Sequence, residues 1–350
     1  MDFPTDPVVC TSTCSQQSSP YLATLTNILS TLSPAQWCQS FFLFYTAGVT
    51  AVALLPKDVK ALVVEYGARK SSATAQGEGT QAQEKQHKDR KTARDKLITL
   101  IAQVTTLTQV PHAWFAWFYT LSLACSAFWL GQYLYDGRLL HIIATAQFSA
   151  APNGPSVTLV QTALAWTMML LQAARRAYED AAIMKPSAKS TMWVVHLVLG
   201  LGFYAGMGVA VWVEGSVAIL SIESKTKVFD DANAEALIKI ALTTPAFLYA
   251  WINQHRCHRH LAGLEKYSLP SEGLFCRFVC AHYTCECLLY LAMAVGAAPQ
   301  GQWINRTLLC ALLFVVVNLG VTAAGTRRWY AQKFGAEAVR GKWNMIPFVF

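Results

Sequence analysis

Three features of the chain predict an all-α integral membrane protein, with about seven transmembrane helices in one bundle. Hydrophobic residues make up 54% of its 350 residues against 14% charged, and the mean hydropathy is +0.31. Apolar runs recur near the ~20 residues that a helix needs to cross a bilayer. The basic residues between those runs rise and fall from one connection to the next. In hydrocarbon every backbone polar group must be satisfied within its own segment, so such runs are read as helices.

Taken in order, residues 1–37 contain no Lys or Arg, so no basic stretch precedes the first apolar run and a cleaved signal peptide is not expected. They read as a lumenal amino-terminal segment. The first span falls near 39–55, within a unit placed at 38–56. Residues 57–109 form a cytosolic loop. Inside it, 71–96 (SSATAQGEGTQAQEKQHKDRKTARDK) is polar, rich in Gln and Lys and free of aromatics, the composition of a disordered insertion. Further spans are expected near 112–134, 155–174, 192–213, 234–252, 283–298 and 303–324. Their connections are short, so 110–350 reads as one helical membrane domain. Gly200, Gly202, Gly206 and Gly208 in the fourth span permit close helix approach.

With seven alternating spans, Lys and Arg number 10 in 57–96, 4 in 175–189, 4 in 256–277 and 5 in 327–342, which is 23 of 28 on one face. Arg138, Lys225, Lys227, Lys239 and Arg306 are left for the other. This is the positive-inside bias, with a lumenal amino terminus and a cytosolic carboxyl terminus. The net charge of +8 is therefore mostly topology, and no nucleic-acid signature accompanies it. Most of the ten cysteines lie on the cytosolic side or within spans, where a reducing compartment opposes disulfides, and only Cys10 and Cys14 are placed to pair. Asn305-Arg306-Thr307 matches the glycosylation acceptor pattern but lies against a span and is expected to be unused.

Several clusters could carry chemistry. Gln172, Arg175, Arg176 and Glu179 are spaced i, i+3, i+4, i+7, so one helix face presents an amide, two guanidiniums and a carboxylate. A positive-inside anchor with a local ion pair would look the same. Tyr283, Glu286 and Tyr290 share a face by the same spacing, and Asn318 lies inside the last span. A carboxylate entering hydrocarbon, as Glu286 does, needs a partner or a polar cavity. The string Asn253-Gln254-His255-Arg256-Cys257-His258-Arg259-His260 reads as a loop after the fifth span. With Cys276, Cys280, Cys285 and Cys287 downstream it invites zinc, but its spacing fits no standard frame. A basic, phosphate-facing loop is the preferred reading, with Arg256, His258 and Arg259 suited to phosphate. No Gly-x-Gly-x-x-Gly and no strand–helix alternation supports a Rossmann unit, so a dinucleotide would have to lie among helix ends.

His282-Tyr283-Thr284-Cys285-Glu286, then Trp329-Tyr330-Ala331-Gln332-Lys333-Phe334 and the terminal Ile346-Pro347-Phe348, resemble the signature of the steroid 5α-reductase family. Within that family the chain looks most like the polyprenol (polyprenal) reductase branch. Gln172-Ala173-Ala174-Arg175-Arg176-Ala177-Tyr178-Glu179 and the stretch from Val110-Pro111 to Phe118-Tyr119 are similar to that branch as well. The resemblance runs from about Val110 to Phe350, which makes 110–350 the catalytic domain. It implies NADPH as cofactor, and a cofactor-binding set of Arg176, Asn253, His258, His282, Tyr283, Glu286, Arg327, Tyr330 and Lys333. The chain departs from relatives at Ala173, where steroid reductases have a catalytic Tyr, at His282 for Asn, at Trp117 for His and at Arg327 for His.

The function this implies is reduction of the α-isoprene double bond of a long polyprenyl lipid in the endoplasmic reticulum membrane, on the route to the dolichol that supports protein N-glycosylation. Tyr119 and Glu179 are the candidates for the hydrogen-bond donor at the developing oxyanion and its proton supply. Neither a metal nor nucleic acid is expected. A steroid or trans-2-enoyl thioester reductase, an isoprenylcysteine methyltransferase and a non-enzymatic carrier are the alternatives.

Overall fold

A computed structural model describes residues 32–56, 60, 93–152, 154, 156–184, 190–221, 233–265 and 268–350. Its long elements are α1 (Pro34–Leu54), α2 (Ala93–Leu107), α3 (Ala116–Leu134), α4 (Arg138–Ala150), α5 (Leu159–Ala182), α6 (Val194–Ala210), α7 (Ser216–Leu220), α8 (Ala234–Gly263), α9 (Ala281–Gly296) and α10 (Arg306–Phe334). The two short strands β1 (Gln109–Pro111) and β2 (Thr191–Trp193) pair antiparallel and tie the approach to α3 to the start of α6. The fold is all-α in every other respect.

Helices occupy all seven predicted span positions. Among the described residues five are long and apolar enough to cross a membrane: Pro34–Leu54, His112–Leu134, Val194–Leu220, Ala234–Gly263 and Arg306–Phe334. The other two differ for physical reasons. α5 buries Gln161, Gln172, Arg175 and Glu179, and α9 has only 16 residues.

Several boundaries move. α1 starts at Pro34, five residues before the apolar run, because Ser33 and Gln36 close a reciprocal capping box. α2 starts at Ala93, inside the stretch read as insertion, since Ala93–Lys96 forms the lead-in to an apolar helical run. Residues 71–92 and Cys10 and Cys14 lie outside the described residues. α8 continues to Gly263, so the string 253–260 is not a loop. Its polar side chains find partners on neighbouring helices, which lets the helix run on past the apolar portion. α4, a 13-residue helix, occupies a connection expected to be short, and its Gln147 Oε1 accepts from Ala35 N at 2.9 Å.

The core joins α1, α6, α9 and α10 around Phe203, whose ring meets Phe42 at 5.7 Å, Phe314 at 5.1 Å and Tyr290 at 5.7 Å. Two of the α6 glycines make this approach possible. A Cβ on Gly200 would lie 2.5 Å from the Phe118 ring, and one on Gly202 would lie 2.2 Å from the Tyr45 hydroxyl. Asn305 is buried, accepts from Leu308 N at 2.9 Å and donates to Ala297 O at 3.0 Å, so it caps α10 instead of presenting an acceptor to an enzyme.

The carboxyl-terminal tail folds back beneath the start of α9. Val279 N donates to Trp343 O at 2.8 Å, Cys280 N to Asn344 O at 3.0 Å and Thr284 Oγ1 to Met345 O at 2.7 Å. Arg327 fastens the same tail by donating to Lys342 O at 2.6 Å and Val339 O at 2.9 Å.

Candidate active site

A cavity of about 590 Å³ lies between α1, α3, α5, α6, α8, α9 and α10. Its two ends differ in chemistry. Arg176, Gln254, His258, His282 and Glu286 line one end, with Tyr119 and Tyr204 beside them. Phe44, Val49, Val52, Val195, Leu199 and Val321 line the other. Phe44 is 75% exposed, so this apolar end reaches the outer surface of the bundle.

The polar end is built from i, i+3, i+4 spacings on three helices. On α5, Glu179 lies one turn beyond Arg175 and Arg176; on α8, Gln254, His255 and His258 share a face; on α9, Glu286 lies one turn beyond His282. Glu179 has no exposure, and its two oxygens accept from Arg175 Nη1 at 2.6 Å, Arg176 Nη1 at 2.5 Å, His255 Nδ1 at 2.8 Å and His258 Nδ1 at 2.6 Å. His258 Nδ1 also lies 2.7 Å from Arg176 Nη1. Arginine only donates, so when His258 donates to Glu179 that contact is proximity and not a hydrogen bond.

Glu286 is held differently. Its Oε2 accepts from Gln172 Nε2 at 3.0 Å and from Gln254 Nε2, which also reaches His282 O at 3.2 Å. The bonds from these amides both fall on Oε2, and Glu286 also lines the cavity. Arg175 Nη2 closes the network, donating to Gln172 Oε1 at 2.6 Å and to Gln254 Oε1. Two guanidiniums and two carboxylates thus balance in charge within this hydrogen-bonded network, the condition under which buried ions are tolerated.

Glu179 lies beyond the apolar part of α5. Burial alone would raise its carboxyl pKa, but the His258 hydrogen bond and the charges of Arg176 and Arg175 outweigh that and hold it well below the ordinary carboxylate range. A depressed folded-state pKa contributes stability that is fully present above the unfolded value of about 4 and is lost only as pH falls through the depressed value. At cytoplasmic or lumenal pH it is a fixed anion. That argues against the proton-supply role expected from the sequence and for a positioning role toward Arg176 and His258.

Tyr119 was expected as the donor to the developing oxyanion. It is buried, lines the cavity and accepts from Arg176 Nη2 at 2.7 Å, with the Arg176 guanidinium 4.9 Å from its ring centre. A phenol that accepts from a cation still has its own hydrogen to donate, and that bond strengthens as charge develops on an acceptor. Arg176, His258, His282, Tyr283 and Glu286 also line the cavity. The other four expected cofactor residues do not. Asn253 is a helical step off the Gln254 face and donates to Tyr249 O at 2.8 Å. Arg327 is engaged by the tail. Tyr330 packs with Val279, Ala323 and Met345, and Lys333 stacks 5.2 Å from the Trp329 ring centre. Arg256 and Arg259 fall on the exposed face of α8. No group of three or more His, Cys, Asp or Glu that could hold a metal occurs among the described residues.

Sequence reasoning passed over Gln254 and His255, hidden in a string taken for a loop, and the whole contribution of α1. It also missed Tyr204, His112 and Asp180, which line the cavity from α6, the turn before α3 and α5. Applying helical spacing beyond residue 252 places Gln254 and His258 together, whereas nothing local in α1 marks Phe44 or Val52 as a cavity wall.

Residues 222–350 match the family described as 3-oxo-5-alpha-steroid 4-dehydrogenase. Polyprenal reductase 1 of Oryza sativa subsp. indica is 26% identical over 286 residues, covering 69% of this chain and 79% of that protein. The polyprenal reductase of Xenopus tropicalis is 25% identical over 270 residues, covering 68% and 82%, and that of Saccharomyces cerevisiae 29% identical over 176 residues, covering 50% and 60%. The chain therefore carries a steroid 5α-reductase-family domain over residues 222–350 and resembles polyprenal reductases along about two thirds of its length.

Proposed function

We propose that this protein is an NADPH-dependent polyprenal reductase of the endoplasmic reticulum membrane, acting on the α-isoprene double bond of a long polyprenyl chain on the route to dolichol. The observation that carries the reading is the two-ended cavity. Its charge-balanced polar end suits a nicotinamide and a carbonyl, and its apolar end lets an isoprenoid tail continue into the lipid around α1 and α6. The residues present fit such a cofactor. His282 Nδ1 is buried at the polar end with no hydrogen-bond partner among the described residues, and Glu286 lines the same space, which gives a carboxamide or ribose both a ring nitrogen and a carboxylate to meet.

When bound, the cofactor supplies the hydride that adds to the β-carbon of the enal and is left oxidised, while the alkene pair moves toward the carbonyl and a proton completes the α-carbon. The chain's own contribution is electrostatic. Tyr119, polarised by Arg176, donates to the carbonyl oxygen as it gains charge, an interaction stronger in the transition state than in the substrate. Glu179 keeps Arg176 and His258 in place. The Phe115, Phe118 and Phe203 rings wall the cavity beside Tyr119.

Purified protein in detergent should bind NADPH in preference to S-adenosylmethionine and should oxidise NADPH when a polyprenal is added. Turnover of a steroid enone or an enoyl thioester, with none of polyprenal, would overturn the substrate assignment. The orientation expected from 23 against 5 basic residues places the polar end on the cytosolic side. A carboxyl-terminal tag should then be digested by protease in sealed microsomes without detergent, and a protected tag reverses the topology.

Glu286→Gln tests the cofactor wall. A lost hydrogen bond to a charged group costs about 1.5–3 kcal/mol, so NADPH affinity should fall roughly ten- to a hundred-fold. Folding should persist, because the new amide is nearly isosteric and its oxygen can still accept from Gln172 or Gln254. A monodisperse variant that binds NADPH as tightly as the parent would make Glu286 structural.

A further inference from the structure

Tyr290 is a buried group that the reading above does not use. It lies on α9 one turn beyond Glu286 and two turns beyond His282, so the three form a single stripe about 12 Å long. All three line the cavity. Tyr290 is 1% exposed, and its hydroxyl has no hydrogen-bond partner among the described residues. A buried, unpaired hydroxyl is costly, and a native structure retains one where a ligand or function answers it. Its ring lies 5.7 Å from Phe203, whose neighbour Tyr204 lies 6.0 Å from the Tyr119 ring, so a chain of aromatic contacts links the two phenols along the wall of one cavity.

We propose that Tyr290 is the second hydrogen-bond donor to the substrate's carbonyl oxygen, opposite Tyr119. The inference rests on the reductase reading and deepens it. A carbonyl oxygen has two lone pairs, and stabilising the charge that develops there is most effective when preorganised donors meet both. The position of Tyr290 along α9 assigns it to the substrate and not to the cofactor. His282 and Glu286 belong to the polar end, whereas Tyr290 lies one turn further along α9, where the cavity wall becomes Phe203 and Phe314.

Tyr290 donates a hydrogen bond and keeps its proton. The hydride adds to the β-carbon, the displaced electron pair becomes the enolate on oxygen between the two phenols, and a proton drawn from solvent as the enolate collapses completes the α-carbon. The balance is one enal, one NADPH and one proton giving one saturated aldehyde and NADP⁺.

The test uses the full-length protein in detergent with NADPH and a short water-dispersible polyprenal. Tyr290→Phe should lower kcat roughly ten- to a hundred-fold. NADPH affinity should stay within about twofold, and thermal stability should be equal or higher, because the change removes an unpaired buried hydroxyl. Those two readouts separate a catalytic donor from a packing residue, which would lose stability in step with activity. A parent-like kcat overturns the proposal, and so does a variant that loses NADPH binding in proportion to activity. If Tyr290→Phe does not fold, Tyr290→Met with a saturated aldehyde product analogue serves instead: weaker analogue binding at parent-like NADPH affinity supports the proposal, and unchanged binding overturns it. Parent protein that binds NADPH but leaves polyprenal unreduced would instead refute the reductase reading itself.

Discussion

Glu179→Gln is expected to lower the melting temperature in detergent by about 6 °C or more, because breaking a buried ion pair from one side costs at least ~3 kcal/mol. The carboxylate has no exposure and serves four donors from two helices. Gln keeps the shape but brings one acceptor oxygen and two new hydrogens into a shell made of donors, and it leaves two guanidiniums facing a single carboxylate. The double variant Arg175→Gln, Glu179→Gln removes one charge of each sign and leaves Arg176 opposite Glu286. It should melt above the single variant even though it has lost more hydrogen bonds. A single variant that melts within 2 °C or so of the parent would mean that the network is solvated and not a dry charge-balanced cluster.

The same network explains how much of the site could be read in advance. Gln172, Arg175, Arg176 and Glu179 were legible as one helix face because their spacing is local, and so was the shared face of Tyr283, Glu286 and Tyr290. What no local pattern contains is which faces meet. Glu179 looked like a proton source while its only visible partners were two arginines one turn away. Two histidines from α8, added by packing, make it a fixed anion instead. Gln254 was invisible because the polar run 253–260 was taken to end a span, whereas polar side chains on a membrane helix continue it wherever a neighbouring helix supplies partners. Arg327 shows the converse effect of packing. A motif position suggested a cofactor contact, but the tail that follows the motif folds back and takes the guanidinium for its own carbonyls.

The fold divides along the same line. Apolar length placed a helix at each predicted span, yet it overstated two of them. α5 is amphipathic because it carries the buried polar network, and α9 is short because the tail packs beneath its start. α1 was taken as a unit preceding the catalytic domain. Its packing on Phe203 and Phe314 and its share of the cavity wall make it part of the same bundle. The aliphatic and aromatic side chains that do this are indistinguishable by sequence from those that only face lipid.

The largest effect on catalysis is expected at Tyr119. Tyr119→Phe should reduce kcat by roughly a hundred- to a thousand-fold, the range seen when one preorganised donor to an oxyanion is removed. The substitution is conservative for the fold. The ring remains 4.9 Å from the Arg176 guanidinium, and that arginine retains its bond to Glu179, so both the cation–π contact and the ion pair survive. NADPH affinity should change little, since His282, Glu286 and Gln254 are untouched. Arg176→Lys supplies the complementary comparison. An ammonium cannot serve Glu179 and Tyr119 at once with the planar geometry of the guanidinium, so it should lose activity while Tyr119 is still present. In the doubly substituted protein the two losses should not add, because a lysine at 176 has no phenol left to misdirect. Fully additive losses would show that Arg176 acts on the reaction independently of Tyr119. A Tyr119→Phe enzyme within a few-fold of the parent would remove the phenol from the mechanism altogether.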